Sequence, residues 1–175
     1  MQEVSLFARL LPASFDELPG IVQRVHDARV SKHLNGRCDV QRGKGLLAKC
    51  LAALASLPPS QVDAPLSVAI AVDAAGETWR RDFDGHRMQS RLWAHGALLA
   101  ERLGPVTLLF SLHVEDAKLI WRVAGAHFLG APLPASWFAG AGATEQVVDG
   151  RYRFDVRATL PLVGLLVHYN GWLAE

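Results

Sequence analysis

The sequence predicts a mainly β domain of α+β type: an antiparallel meander of about nine or ten strands, forming a curled sheet or a closed barrel, with one or two N-terminal helices packed against it. Three observations carry that expectation. From Pro65 onward apolar residues recur with period 2, whereas the helical period of 3.6 is confined to the residues before Pro59. Turn signals punctuate the later stretch about every 8 to 12 residues. With 175 residues, half of them hydrophobic, the chain suits one domain over 1–175 with a substantial core.

Residues 15–28, FDELPGIVQRVHDA, predict a short helix: Asp16 and Glu17 sit where the N-terminal dipole favours acid, Ile21, Val22 and Val25 share a side, and Pro19 limits the start. HLNGRCDVQRG over 33–43 predicts a first strand, because Leu34, Cys38 and Val40 alternate with polar residues apart from Gly36. KGLLAKCLAALASLPP predicts a helix over 44–57, stopped by Pro58 and Pro59, with a stripe of Leu46, Leu47, Cys50, Leu51 and Leu54 to bury.

The meander follows. Its candidate two-residue loops are Ala75-Gly76, Asp84-Gly85, His95-Gly96, Gly104-Pro105 and Glu115-Asp116. Those loops fix a register in which Val72 meets Trp79, Arg81 meets Met88, Trp79 meets Ser90, Ser90 meets Glu101, Leu92 meets Leu99, Leu103 meets Val106, and Phe110 meets Trp121. A one-residue slip anywhere would flip every later side chain, so the test is whether one face stays apolar. It mostly does, collecting Leu66, Val68, Ile70, Trp79, Phe83 and Met88 and continuing through Leu92, Leu108 and Trp121 to Val123. Residues 124–143 form a Gly-, Ala- and Pro-rich crossover in which Ser136 to Phe138 make one helical turn. A hairpin at Asp149-Gly150 leads into RYRFDVRATL, with Tyr152, Phe154, Val156, Ala158 and Leu160 inward, and a last strand runs from about Leu162 to Leu173. Lipocalin-like barrels are the nearest architecture. A helix-grip fold is the alternative, but the period-2 C-terminus and its Pro and Gly argue against the long final helix that fold requires.

Composition narrows the function. The 18 basic and 17 acidic residues nearly cancel, so no global field recruits nucleic acid or an anionic membrane. Arg151, Arg153 and Arg157 form an outward stripe, but Asp155 interrupts it and no stacking aromatics interleave, which argues against nucleic acid. Cys38 and Cys50 match no metal spacing and cannot build a disulfide framework, so a reducing cytoplasm is the expected compartment. MQEVSLFARLLPASF lacks the pattern of a signal peptide, and no run is long enough to span a membrane. The seven histidines show no HExxH pair or Cys-His spacing, and no serine sits in a nucleophile elbow. No metal, cofactor or catalytic residue is assigned.

DGRYRFDV, LPLVGLLVHYNGWL, ETWRRDF, the SRL at Ser90 and the ERLGP at Glu101 together resemble the bacterial family called domain of unknown function 4166. The likeness runs from LPGIVQRVHD through GRCDVQRGKG to the C-terminus. Members occur alone or resemble domains attached behind dehydrogenase-like nucleotide-binding modules, so the resemblance implies a dehydrogenase-like protein as a partner and no particular activity. This chain has no Gly-rich phosphate loop between a strand and a helix.

The residues that stand out lie between Glu77 and Leu103. On the derived register Glu77, Arg81, Ser90 and Glu101 share the apolar face, with Trp79 between the first two. Unpaired buried charges would cost several kcal/mol each. The group is therefore either a structural ion network that pins strand register or the polar end of a ligand cavity. The cavity reading is a module binding a small hydrophobic or amphipathic ligand through Glu77, Trp79, Arg81, Ser90, Glu101 and Trp121, with His127 joining from the pliable crossover. Two further readings stay open: a barrel-type enzyme, isomerase or cyclase-like, using Glu77 or Glu101 for proton transfer, and an interaction domain for a dehydrogenase-like protein.

Overall fold

A computed structural model describes residues 4–175. Its strands are β1 (Lys32–Arg42), β2 (Gln61–Asp73), β3 (Gly76–Phe83), β4 (His86–His95), β5 (Leu98–Leu103), β6 (Val106–Glu115), β7 (Lys118–Phe128), β8 (Ala131–Leu133), β9 (Gly142–Val148), β10 (Arg151–Leu160) and β11 (Gly164–Ala174). β1 to β7 pair in sequence order, β7 continues to β9, β10 and β11, and β11 pairs back on β1. The result is a closed antiparallel barrel of ten strands, with β8 a short addition beside β7. The closing seam brings backbones very close: a Cβ at Gly36 would stand 1.8 Å from the Trp172 carbonyl oxygen. The one break in the alternation of β1 is therefore what lets the barrel shut.

Among the described residues three helices accompany the barrel: α1 (Leu6–Leu10), α2 (Gly20–His26) and α3 (Leu46–Leu54). The helix expected over 15–28 is split by Pro19 into a 3-10 turn at Phe15–Glu17 and α2. The expected single turn in the crossover is present at Ala135–Phe138. α1 was not anticipated; it is capped by Ser5, whose hydroxyl accepts from the Ala8 amide at 3.4 Å.

Register follows the expectation at Asp84-Gly85 and Gly104-Pro105, where Arg81 meets Met88, Trp79 meets Ser90 and Leu103 meets Val106. At the other three hairpins the loop is centred one residue away, on Ala74-Ala75, Gly96-Ala97 and Asp116-Ala117, and the pairing moves by two. Val72 thus meets Glu77, Leu92 meets Glu101 and Leu112 meets Trp121. A shift of two leaves every side chain on its expected face. The causes are local. Gly76 belongs to β3, where a Cβ would stand 2.1 Å from the Leu92 carbonyl oxygen, and the third turn puts both Asp116 and Ala117 at positive φ, as a type I′ turn requires.

The two ends of the barrel differ. The end holding the β2–β3, β4–β5 and β9–β10 turns is closed by α1 and α2, which bury Leu6, Phe7, Val22, Val25 and His26. α3 lies at the other end, with the β3–β4, β5–β6 and β10–β11 turns; His86 Nε2 meets the Ser56 carbonyl there at 2.9 Å. The apolar stripe predicted to be buried on α3 is turned outward. Ala48 and Ala52 face the barrel, while Leu46, Leu47, Cys50 and Leu54 are exposed. No helix among the described residues is long and apolar enough to cross a membrane.

Candidate ligand-binding cavity

β3, β4 and β5 place Arg81, Ser90 and Glu101 on the inner wall, as the conserved parity of the register requires. Arg81 donates to the Ser90 hydroxyl at 2.8 Å and to Glu101 Oε1 at 3.3 Å, and its guanidinium lies 4.9 Å from the centre of the Trp79 ring. Arg81 and Glu101 are both buried, and both line a cavity of about 120 Å³ inside the barrel. The remaining lining is largely apolar and aromatic, including Trp79, Phe83, Met88, Phe110 and Trp121. Exposed Arg157 and partly exposed Leu103 and Ala141 also line it, which puts its mouth at the α3 end.

Of the residues singled out from sequence, Trp79, Arg81, Glu101 and Trp121 line this cavity, and Ser90 stands directly behind Arg81. Glu77 is buried beside them but faces away. It accepts from Trp79 Nε1 at 2.8 Å and borders a separate recess near α1, next to Ser5 and Arg9. Burial pushes its carboxyl above the usual carboxylate range, against the opposing pull of the Trp79 hydrogen bond. His127 is not brought to the cavity. A bulge between Leu109 and Phe110 lets Val123 and Gly125 occupy successive partner positions, so the buried site beyond it passes to Ala126, and His127 pairs with Thr107 outside the lining.

Sequence reading missed the groups at the inner end. His26, at the close of α2, has no exposed surface and meets Glu145 Oε2 through Nε2, while its Nδ1 has no partner. Phe7 lies 4.0 Å from the His26 ring, Trp79 5.9 Å and Trp121 6.3 Å, centre to centre, so the imidazole sits among aromatic rings. Glu145 also lines the cavity, beside Tyr152. Burial, then the Glu145 charge, push the Tyr152 phenol well above its usual range, and burial brings Tyr169 up to about 12, so both stay neutral donors at physiological pH. A signal for Glu145 was present: the two-residue loop at Asp149-Gly150 sets Val147 opposite Tyr152 and Glu145 opposite Phe154, all on the inward face. Trp121 Nε1 is buried with no partner. Cys38 is buried and its thiol is pushed up to about 11, chiefly by burial, which makes it a packing residue rather than a nucleophile.

Fold and interior together define a closed antiparallel barrel with an apolar internal cavity and an ion pair set in its wall. The family described as a domain of unknown function, DUF4166, matches residues 18–173, and the chain belongs to that family. No curated protein matches the chain.

Proposed function

We propose that the barrel binds a small amphipathic ligand, with the ligand's apolar body against Trp79, Phe83, Met88 and Trp121 and its polar end at the Arg81–Glu101 pair. The observation that supports this reading is the ion pair in the wall of an otherwise apolar cavity. A pair kept only to pin register gains nothing from bordering open space, whereas pockets that orient a ligand combine apolar walls with a few placed polar groups. Cavity size bounds the buried part of the ligand, since an apolar void of roughly 150 Å³ holds one benzene-sized ring. A reducing cytoplasm is the compartment that suits two free thiols.

A barrel-type enzyme is the weaker reading. Glu77 faces the other recess and the cavity-lining Glu101 is committed to Arg81, which leaves Glu145, held by His26, as the lining carboxylate without an arginine partner. The binding reading is tested by native mass spectrometry of protein purified without added ligand, with the anionic amphiphile 1-anilinonaphthalene-8-sulfonate as a titrated probe. The expected result is a bound small-molecule mass, or saturable probe binding, that Arg81→Leu reduces by at least tenfold. If binding is absent in the wild type, or persists in Arg81→Leu while stability falls, the pair is structural and the cavity role is wrong.

A further inference from the structure

The exposed large apolar residues are not scattered evenly: Val4, Val30 and Val148 stand at the closed end, and the others gather at the opposite one. Leu46, Leu47 and Leu54 on α3, Leu129 in the β7–β8 turn, Trp137 in the 3-10 turn and Leu162 in the β10–β11 turn are all exposed, and all stand on elements at the cavity-mouth end. Leu46 is 80% exposed and Leu47 57%. A helix of nine residues that packs Ala48 and Ala52 and holds three of its four leucines in water has the wrong face outward for a protein that meets only solvent. Charge on the same end has one dominant sign. Residues 40–62 contain Arg42, Lys44 and Lys49 and no Asp or Glu, with Lys44 and Lys49 exposed on and beside α3. Arg102 and Arg157 are exposed on the neighbouring walls. Of the nearby acids, Asp63 is paired with Arg37 and Asp82 with Arg87, leaving Asp39, which accepts from the Asp63 amide, and Asp84 in the β3–β4 turn.

We infer that this end docks on an anionic lipid surface, with the rim leucines and Trp137 in the acyl boundary and Lys44 and Lys49 at headgroup phosphates. Leucine flanked by lysine on a short helix suits the interface between headgroups and chains, and anionic lipid attracts clustered cations. A second copy of the chain is the poorer occupant, because a symmetric contact through this face would set Lys44 and Lys49 against their own equivalents. The position of the mouth gives docking a purpose. An apolar molecule leaving the bilayer would enter the barrel without crossing water. The inference deepens the proposed ligand-binding role and rests on it for that purpose, but the docking itself depends only on the rim.

The test is sedimentation of the full chain with vesicles of phosphatidylcholine alone or of phosphatidylcholine mixed with phosphatidylglycerol. Wild type is expected to sediment with the anionic vesicles and to be released by high salt. Leu46→Ser with Leu47→Ser, and separately Lys44→Glu with Lys49→Glu, are expected to weaken that binding by at least tenfold with thermal melting unchanged. Wild type that stays in the supernatant, or variants that bind as it does, overturn the inference. So does a dimer in analytical ultracentrifugation that the leucine substitutions dissociate, since a second copy then covers the face. Arg81→Leu separates this result from the cavity reading. That variant is expected to lose the probe and keep vesicle binding; a wild type that binds vesicles but neither ligand nor probe fails the cavity alone, and a wild type that binds the probe but stays off vesicles fails the docking alone.

Discussion

At the closed end of the barrel a short helix drives its largest side chain inward: Phe7 of α1 is fully buried against His26, Trp79 and Trp121. At the open end another short helix does the reverse, packing Ala48 and Ala52 while Leu46, Leu47 and Leu54 face water. The difference lies in the space each helix meets. α1 covers an unfilled barrel end, where an aromatic ring occupies volume that would otherwise be void. α3 runs close against β11, where Gly43 approaches the Leu165 carbonyl and Ala48 lies beside that glycine, so no room remains for a leucine. An apolar stripe identifies a helix; the gap beneath the helix decides which face is buried.

The strongest way to break this contrast is Phe7→Ala. Removing a fully buried ring from among other rings is expected to cost about 3–5 kcal/mol, measured by urea denaturation monitored through Trp79 and Trp121 fluorescence. A loss below about 1 kcal/mol would mean that α1 rests on the barrel as loosely as the leucine face of α3 meets solvent, and that the closed end is not sealed.

Glu77, also near the closed end, allows a subtler test. Its carboxyl is raised by burial, so the folded protein holds that proton more tightly than the unfolded chain does. Its contribution to stability is therefore fully present below the unfolded value near 4.5 and is lost as pH rises through that value toward the folded one. Glu77→Gln keeps an acceptor for Trp79 Nε1 and has no charge to bury. Denaturation midpoints measured across the acid-to-neutral range should show the wild type losing stability relative to the variant as pH rises. Parallel curves would show that the recess beside Glu77 is wet enough to solvate the charge.

The sequence carried the barrel because parity survives error. Three hairpins were misplaced by one residue, but each mistake moved the pairing by two, so Arg81, Ser90 and Glu101 reached the inner face as expected. What could not be read were effects of close approach and long separation. An alanine at positive φ, Ala117, carries no turn signal, and the bulge that moves His127 off the inner face depends on how β6 and β7 coil. The contact between His26 and Glu145 joins residues 119 apart, and only closure of the barrel beneath α2 brings them together. For α3 the periodicity was correct and the orientation opposite, because nothing in a helical stripe records that Gly43 and β11 lie a few ångströms from the other side.

The smallest expected effect is the one that sharpens the contrast most. Leu47→Ser removes an apolar side chain from the middle of the best amphipathic pattern in the chain, where an ordinary core helix would lose about 2–5 kcal/mol on truncation of a leucine. Because Leu47 is more than half exposed here, stability should change by no more than about 0.5 kcal/mol in the same urea titration. A cost of 2 kcal/mol or more, on the order of a buried leucine, would place α3 with its leucines inward in solution and remove the apolar rim. A null effect would leave those leucines with no part in folding, so that their role has to be sought in what the open end of the barrel touches.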